Sequence, residues 1–507
     1  MKTLPVYNPP KVTNVKGAPS ATWLKGLDRL LLLVPAADVP ARLKQLPAST
    51  AALREFSRLK PGPGAVFSST LSTPQTLGVI IGVLAPNADA FQALTVAGRV
   101  AREAARHRPE RVGLWAPLHS PATSERADWL LAAVLAEIEP KPQHKRVRGP
   151  TWQPQRLTVA GHAQPAQTLA VESGAHLARW LTQLPPNILT PTTYRRALST
   201  LAKQHGWGIQ IYDERALKKQ GAGAFLAVSQ GSARRDAALV HLSYRPRRTG
   251  ATPSRAPIAL VGKGLCFDTG GLNIKSAKSM LSMHGDMGGS AVALGTLLAL
   301  TQAKHPEPVD AWLALAENRV GPDAYTQQDV VTAANGTSIQ VVHTDAEGRM
   351  VLADTLAIAS RTKPACILDF ATLTGACVVA LGDRLSGVFT NRPALRDTLE
   401  AAGHASGERV WALPMPEDFD EDLQSPIADV MQCLIDGKAD HIYATRFLSH
   451  FVNPDIPWIH VDLSAAERSG GLAHIGHAVT GFGVRFATTL LADPQFTQRI
   501  HQRPARR

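Results

Sequence analysis

Short, unbroken apolar runs alternate along this chain with stretches whose apolar residues recur every three or four positions. That alternation constrains the fold more than any other feature. "LLLLV" (30–34) and "LGVIIGVLA" (77–85) read as buried strands, whereas "DAFQALTVAGRVAREAARH" and "ERADWLLAAVLAEIE" carry helical spacing. The pattern resumes further on. "APIALVGKG" (256–264), "VDAWLALAEN", "SIQVVH", "ACILDFATL" and "WIHVDLS" read as strands. "TLAVESGAHLARWLTQ", "MGGSAVALGTLLALTQA" (287–303) and "MVLADTLAIAS" read as helices, the second rich in small residues that permit close packing. Strands and helices in turn imply the α/β class. Between the two regions lies "PKPQHKRVRGPTWQPQ", rich in proline and basic residues. The predicted organisation is an N-terminal α/β domain over 1–150, a linker region over 151–169 and a larger C-terminal domain over 170–507.

Composition agrees with a packed protein. The 507 residues are 44% hydrophobic and 19% charged, outside the disordered range. The longest apolar runs fall well short of the about 20 residues that span a bilayer, so no membrane segment is expected. The start, "MKTLPVYNPPK", lacks the apolar stretch of a secretory signal. Four cysteines, Cys266, Cys366, Cys377 and Cys433, show no CxxC pairing and read as reduced, buried thiols of a cytoplasmic protein. The net charge of +13 raises the question of a nucleic-acid partner. Its clusters, "KPQHKRVR" (141–148), "RPRR" (245–248) and the tail "RIHQRPARR", have no aromatic interleaving, which favours a solvated surface.

The chemistry concentrates in two stretches. In "VVHTDAEGRM" (341–350) an apolar pair is followed by Asp345, Glu347 and Arg349 at alternate positions. Strand side chains alternate with a period of two, so these three share a side if the extended backbone continues. Alone, two carboxylates beside a helix start are an ordinary capping arrangement. The second stretch changes that balance. "VGKGLCFDTGGLNIKSAKSMLSMHGDMGG" (261–289) carries Lys263 at the end of a strand, Asp268 soon after, a "DTGG" turn, Lys275, and Asp286 before a helix. Open α/β sheets place their sites at such strand ends and turns. If the stretches converge, Asp268, Asp286, Asp345 and Glu347 form a four-carboxylate cluster. Like charges a few ångströms apart cannot all stay ionised without cations. Two divalent metals about 3.5–4 Å apart resolve this. Lys263 could join them as a neutral amine, leaving Lys275 and Arg349 cationic and free to act on substrate.

Other signals are weaker. "GKG" lacks the rest of a phosphate-binding loop. "HIGH" (474–477) has ligand-like spacing but no glutamate within it, and reads as structural. His460 in "WIHVDLS" reads as a strand histidine, and Cys266 has no visible partners for a nucleophilic role.

Together, "VGKGLCFDTGG", "DMGGSAVALG", "HTDAEGRMVLADTL" and "DFATLTGACVVALG" resemble the leucyl (cytosol) aminopeptidase family of dinuclear-metal peptidases. "LPPNILTPTTY", "LALAENRVGPDAY", "SGERVWALPM" and "VTGFGVRF" add to the resemblance, which covers 170–490. It implies a small N-terminal α/β domain and a larger C-terminal one, whose mixed, mostly parallel sheet is flanked by helices and holds the whole site. It implies a homohexamer with active sites facing an interior space. By position, one metal would take Lys263, Asp268, Asp286 and Glu347. The other would take Asp268, Asp345 (side chain and carbonyl) and Glu347. The ions would be Mn or Zn. Lys275 would polarise the scissile carbonyl, and Arg349 would hold a bicarbonate acting as proton shuttle. Backbone from Leu373 to Gly375, after Thr372, would line the site and the substrate. The implied reaction is release of the N-terminal residue of a peptide by a metal-activated water or hydroxide, with leucine-like residues preferred.

Two positions depart from the family pattern. His343 stands before "TDAEGR" where asparagine is usual, and His284 and Gly285 precede Asp286 where a lysine is usual after the methionine. These bear on pH profile, pocket shape and preference rather than on reaction type. A nucleic-acid-binding protein and a two-metal hydrolase of another substrate, such as a phosphoester, are the competing readings.

Overall fold

The computed structural model describes residues 4–5, 9–15, 17, 19–73, 76–116, 126–146, 151–160, 164–246 and 255–501. Strands β1 (Lys11–Val15), β2 (Arg29–Pro35), β3 (Val66–Leu71), β4 (Leu77–Leu84), β5 (Arg111–Trp115) and β6 (Arg156–Ala160) form one sheet, in the order β1-β6-β5-β2-β4-β3. All pairings are parallel except that of β3 with β4. The continuous apolar runs follow from burial on both faces. Leu31, Leu33 and Ile80 pack on helices Ala90–His107 and Arg126–Ile138, while Leu30, Leu32, Val79 and Ile81 pack on Val39, Leu43 and Phe56 across the other face. The stretch expected as a linker, 151–169, holds β6 and the start of helix Pro165–Thr182. The N-terminal sheet therefore takes its sixth strand from beyond residue 150. Its apolar residues Leu157 and Val159 are too few to stand out against the Pro-rich, basic residues before them.

The second sheet contains β7 (Gly208–Asp213), β8 (Ala238–Tyr244), β9 (Ile258–Asp268) and β10 (Val309–Asn318). After β11 (Val330–Thr332) and β12 (Ser338–Gln340), it continues with β13 (Cys366–Ala371), β14 (Ser386–Thr390) and β15 (Val410–Ala412). Then follow β16 (Val430–Met431) and β17 (Trp458–Asp462). The sheet order is β15-β14-β17-β13-β9-β10-β8-β7, and β11, β12 and β16 form a small separate sheet. The four central strands, β17, β13, β9 and β10, run parallel, so their carboxyl ends share one edge. Helix Gly288–Gln302 is buried from Gly288 through Leu300. Its small residues allow backbone-to-backbone approach. A Cβ on Gly295 would lie 2.4 Å from the Gly174 carbonyl oxygen of helix Pro165–Thr182, and one on Gly289 would lie 2.1 Å from that of Phe370. The α/β class and the mixed, largely parallel sheet flanked by helices are as expected.

A buried ion network joins the two regions. Arg179 bonds Glu139 at 2.8 and 2.6 Å, and Glu172 bonds Arg485 at 2.9 Å. His474 and His477 of "HIGH" lie 3.5 Å from Glu172 and 3.2 Å from Glu139, so this motif serves the network. Burial pushes the Glu139 carboxyl up, but Arg179 and His477 outweigh it and hold it far below the usual range. Arg179→Met leaves two buried carboxylates short of a cation, with an expected loss of about 3–5 kcal/mol. Urea unfolding measures it; a loss within a few tenths would contradict the role given to the network.

His460 sits in β17, bonded through Nδ1 to Asp369 at 2.6 Å. The four cysteines are buried free thiols. Among the described residues, no helix is long and apolar enough to cross a membrane. The three basic clusters each run into positions outside the described residues (147–150, 247–254 and 502–507).

Candidate metal centre

The shared edge of the four parallel strands carries a polar constellation. Asp268 ends β9, Asn318 ends β10 and Asp462 ends β17, while Thr372 follows β13. Asp268 Oδ1 accepts from the Gly270 N–H and from Asn318 Nδ2, both at 2.8 Å. Gly270 has φ +82°, which lets the "DTGG" turn fold back on that carboxylate. Thr372 Oγ1 donates to Asp286 at 2.8 Å. Asp462 fixes the "TLTG" turn, accepting from Thr374 Oγ1 at 2.6 Å and from the Leu373 N–H at 3.1 Å. Thr372 and Leu373 are half-buried and Gly375 is exposed.

Two lysines enter this acidic edge. Lys263 Nζ lies 2.8 Å from Asp286 and 3.0 Å from Glu347, and donates to the Thr372 carbonyl at 3.0 Å. A Cβ on Gly348 would lie 2.6 Å from Lys263 Cε, so a side chain there would push the lysine aside. Lys275 Nζ lies 2.8 Å from Asp268 and pairs with Asp345. Lys275 is thus engaged with carboxylates rather than free.

The backbone through "TDAEGR" differs from the extended path expected for it. β12 ends at Gln340, and Glu347 opens helix Glu347–Ser360. The helix-favouring run "MVLADTLAIA" extends back over Glu347, while the approach to it is pinned. Thr344 donates through its backbone N–H to Asn273 at 2.8 Å, and its carbonyl accepts from Tyr325 at 2.6 Å and Asn318 at 3.1 Å. Two residues along a helix turn through about 200°, so Glu347 and Arg349 diverge. Glu347 reaches Lys263. Arg349 reaches Asp440, with Nη2 2.7 Å from both carboxylate oxygens, and the Gln432 carbonyl at 3.3 Å. The helix has no side-chain cap, so capping does not account for these acids.

Asp268, Asp286 and Glu347 each offer an oxygen within 4.8 Å of the others. Asp345 joins them through Lys275. Burial pushes the Asp286 carboxyl up to about 7 against the pull of Lys263. Burial and the neighbouring Glu347 carry Asp345 to about 7 as well. Glu347 is raised by burial and by Asp268. Burial depresses Lys263, but Asp286 and Glu347 outweigh it and hold the ammonium well above the usual lysine range. Asp286 Oδ2 is sealed from solvent without a hydrogen-bond partner. This donor set fits a divalent cation: three clustered carboxylates, one with an unused buried oxygen, whose charge the two ammonium groups now balance.

A pH dependence follows. The folded carboxyls of Asp286 and Asp345, near 7, lie above their ordinary value of 3.8. Their stabilising contribution to the metal-free fold is complete below 3.8 and is lost as pH rises through 7. A cation must displace these protons, so metal affinity is expected to rise about tenfold per pH unit per proton up to neutrality, and to go on rising above it where Lys263 must also give up its proton. Calorimetric Mn²⁺ titrations across that range check it, and a flat affinity would contradict it.

His343 is half-buried, and its Nδ1 accepts from the Asp345 N–H at 3.2 Å. Burial, then Lys275, pushes its pKa below the usual histidine value. His284 is half-buried two residues before Asp286. Several site residues escaped sequence reasoning: Asn318, Tyr325, Thr344, Gln432, Asp440 and Asp462. Asn318 and Asp462 had a usable signal, as polar residues closing apolar strands; Gln432, just after β16, and Asp440, at the start of helix Asp440–Ser449, had none. A cavity of about 670 Å³, bordered by Arg255, His305, Glu307 and His501, is lined by other parts of the chain.

The profile of the cytosol aminopeptidase family, catalytic domain, matches residues 176–488. A probable cytosol aminopeptidase of Parasynechococcus marenigrum (strain WH8102) is 36% identical over 476 residues, covering 91% of this chain and 95% of the relative. The chain belongs to the cytosol aminopeptidase family. Solved structures share the architecture. A tomato leucine aminopeptidase variant superposes with TM-score 0.83 at 25% identity, covering 96% of this chain and 98% of its own. A bottromycin maturation enzyme in complex with Mn gives TM-score 0.79 at 30% identity, covering 92% and 98%. Family membership makes the protein a metal-dependent aminopeptidase, a hydrolase acting at the N-terminal peptide bond.

Proposed function

We propose that the protein releases N-terminal residues, leucine-like ones by preference, at a centre of two divalent ions held by Lys263, Asp268, Asp286, Asp345 and Glu347. The observation that carries this reading is the convergence of Asp268, Asp286 and Glu347 within 4.8 Å, with Lys263 and Lys275 among them. Asp345, paired to Lys275 beside Asp268, supplies the second pole of the cluster. Mn is a natural candidate, since a related maturation enzyme was solved with it; Zn suits the same oxygen and nitrogen donors. Such ions supply Lewis acidity and make water acidic enough to act near neutral pH.

The chain's own residues do the rest. Lys263 would give its amine to the centre, which requires it to lose the proton that Asp286 and Glu347 now stabilise. Lys275 stays cationic at neutral pH and is 14% exposed at its side chain, so it can donate to a carbonyl oxygen as charge builds there. Thr372, Leu373 and Gly375 would border the peptide, with their turn held by Asp462. His343 accepts through Nδ1, so the neutral ring carries its proton on Nε2 and offers a donor to the substrate. Bicarbonate on Arg349 does not fit the residues present, because Asp440 already engages the guanidinium; no step is assigned to it. A homohexameric assembly and a cytoplasmic location complete the reading, the latter suited to four reduced thiols.

Hydrolysis of leucine p-nitroanilide with Mn²⁺ or Zn²⁺ tests the proposal. The expected result is activity abolished by a chelator and absent on an N-acetylated substrate. Chelator-sensitive cleavage of a nitrophenyl phosphodiester, with leucine anilide untouched, would overturn it.

A further inference from the structure

Arg349 carries a carboxylate of its own. Its side chain is 2% exposed, against 23% for Asp440. Nη2 donates to both Asp440 oxygens at 2.7 Å, and Nη1 donates to the Gln432 carbonyl at 3.3 Å. Nε is sealed from solvent. Asp440 therefore occupies the Nη2 donor, Nε is left without a partner, and Asp440 is the part of the pair that meets solvent. The chain goes out of its way to put it there. Ala439, just before it, takes φ +48°, a left-handed conformation unfavourable for a residue with a Cβ. Asp440 opens helix Asp440–Ser449, whose N-terminal dipole favours an anion. Gln432, whose carbonyl Arg349 holds, also accepts from the His343 N–H at 3.0 Å through its side chain and donates to the Ala346 carbonyl at 3.0 Å, so the Arg349–Asp440 pair abuts the segment that carries Asp345 and Glu347.

We infer that Asp440 is a resident proton carrier, doing with a side chain what the family resemblance assigns to a bicarbonate on Arg349. This rests on the peptidase reading above. As the water oxygen bonds to the carbonyl carbon, one water proton passes to the Asp440 carboxylate. As the C–N bond breaks, that proton passes to the departing nitrogen, which leaves as the amine, and the carboxylate is restored. Arg349 acts as a positioning residue that fixes the carboxylate. Positioned general acid–base groups contribute about 100-fold or more.

The test compares wild type, Asp440→Gly and Asp440→Asn, with leucine p-nitroanilide in carbonate-free buffer and with added bicarbonate or formate. Binding of ¹³C-bicarbonate to each metal-free protein is followed by NMR. Wild type is expected to be indifferent to bicarbonate and not to bind it. Asp440→Gly should lose about 100-fold in kcat, bind bicarbonate in the space opened beside Arg349, and regain roughly tenfold of that loss with bicarbonate or formate. Asp440→Asn fills the same space without a base, so it should share the loss without rescue. A carboxylate that only balanced a buried arginine would lower melting temperature and leave kcat in carbonate-free buffer within a few-fold, which overturns the inference. So would a wild type that binds bicarbonate or is stimulated by it, whether or not the variants fold; the peptidase reading would then stand. A wild type without chelator-sensitive hydrolysis overturns both.

Discussion

Glu347→Ala is expected to empty the metal centre and to lower leucine anilide hydrolysis on the order of 1,000-fold, because several kcal/mol of Lewis-acid stabilisation go with the metal. Glu347 is buried at the start of its helix, within 4.8 Å of both Asp268 and Asp286, and it shares Lys263 with Asp286. Removing it takes away the carboxylate that ties the cluster to Lys263 from the helix side. Loss of one anion also leaves Lys263 with a single carboxylate partner, Asp286, so the vacated site should stay folded. Elemental analysis after dialysis, with a thermal melt as control, reads the effect. Full activity with bound metal in this variant would remove Glu347 from the centre.

Lys275→Ala should behave differently. It keeps the carboxylates, and therefore the metal, but removes the one cation among them that is both close to Asp268, at 2.8 Å, and partly open to solvent. The expected loss is about 100- to 1,000-fold in kcat with metal content unchanged, the scale for deleting a donor to a developing oxyanion. Steady-state kinetics on metal-counted protein separates the two variants. If Lys275→Ala lost its metal as Glu347→Ala does, the lysine would be a structural counterion of the cluster rather than a donor to substrate.

Much of this site was legible in the sequence because its residues sit in short segments with fixed spacing. Lys263, Asp268, Lys275 and Asp286 fall in one strand–turn–helix stretch, and Asp345, Glu347 and Arg349 in another. The fold class was legible for a related reason: strands such as Leu77–Leu84, buried on both faces, are apolar throughout. What misled was the alternation in "TDAEGR". A period of two fits a strand, but the residues that follow favour a helix, and its start at Glu347 sends Arg349 toward Asp440 instead of toward the carboxylates. Asp440 itself was not legible. A lone acid after "GKA" carries no spacing signal, and its partner is 91 positions away. β6 was not legible within 151–169, because its few apolar residues stand beside Pro-rich, basic ones and are buried through partners far along the chain, in β1, β5 and the helices packed on them.

The central claim is that Lys263, Asp268, Asp286, Asp345 and Glu347 hold two divalent ions that the aminopeptidase needs. A crystal structure of the protein grown with Mn²⁺, with ions located by anomalous scattering, tests it most directly. The expected result is two peaks about 3.5–4 Å apart, both within bonding distance of Asp268 and Glu347, in crystals of protein whose hydrolysis a chelator abolishes. Metal bound elsewhere, or none bound in fully active protein, would contradict it.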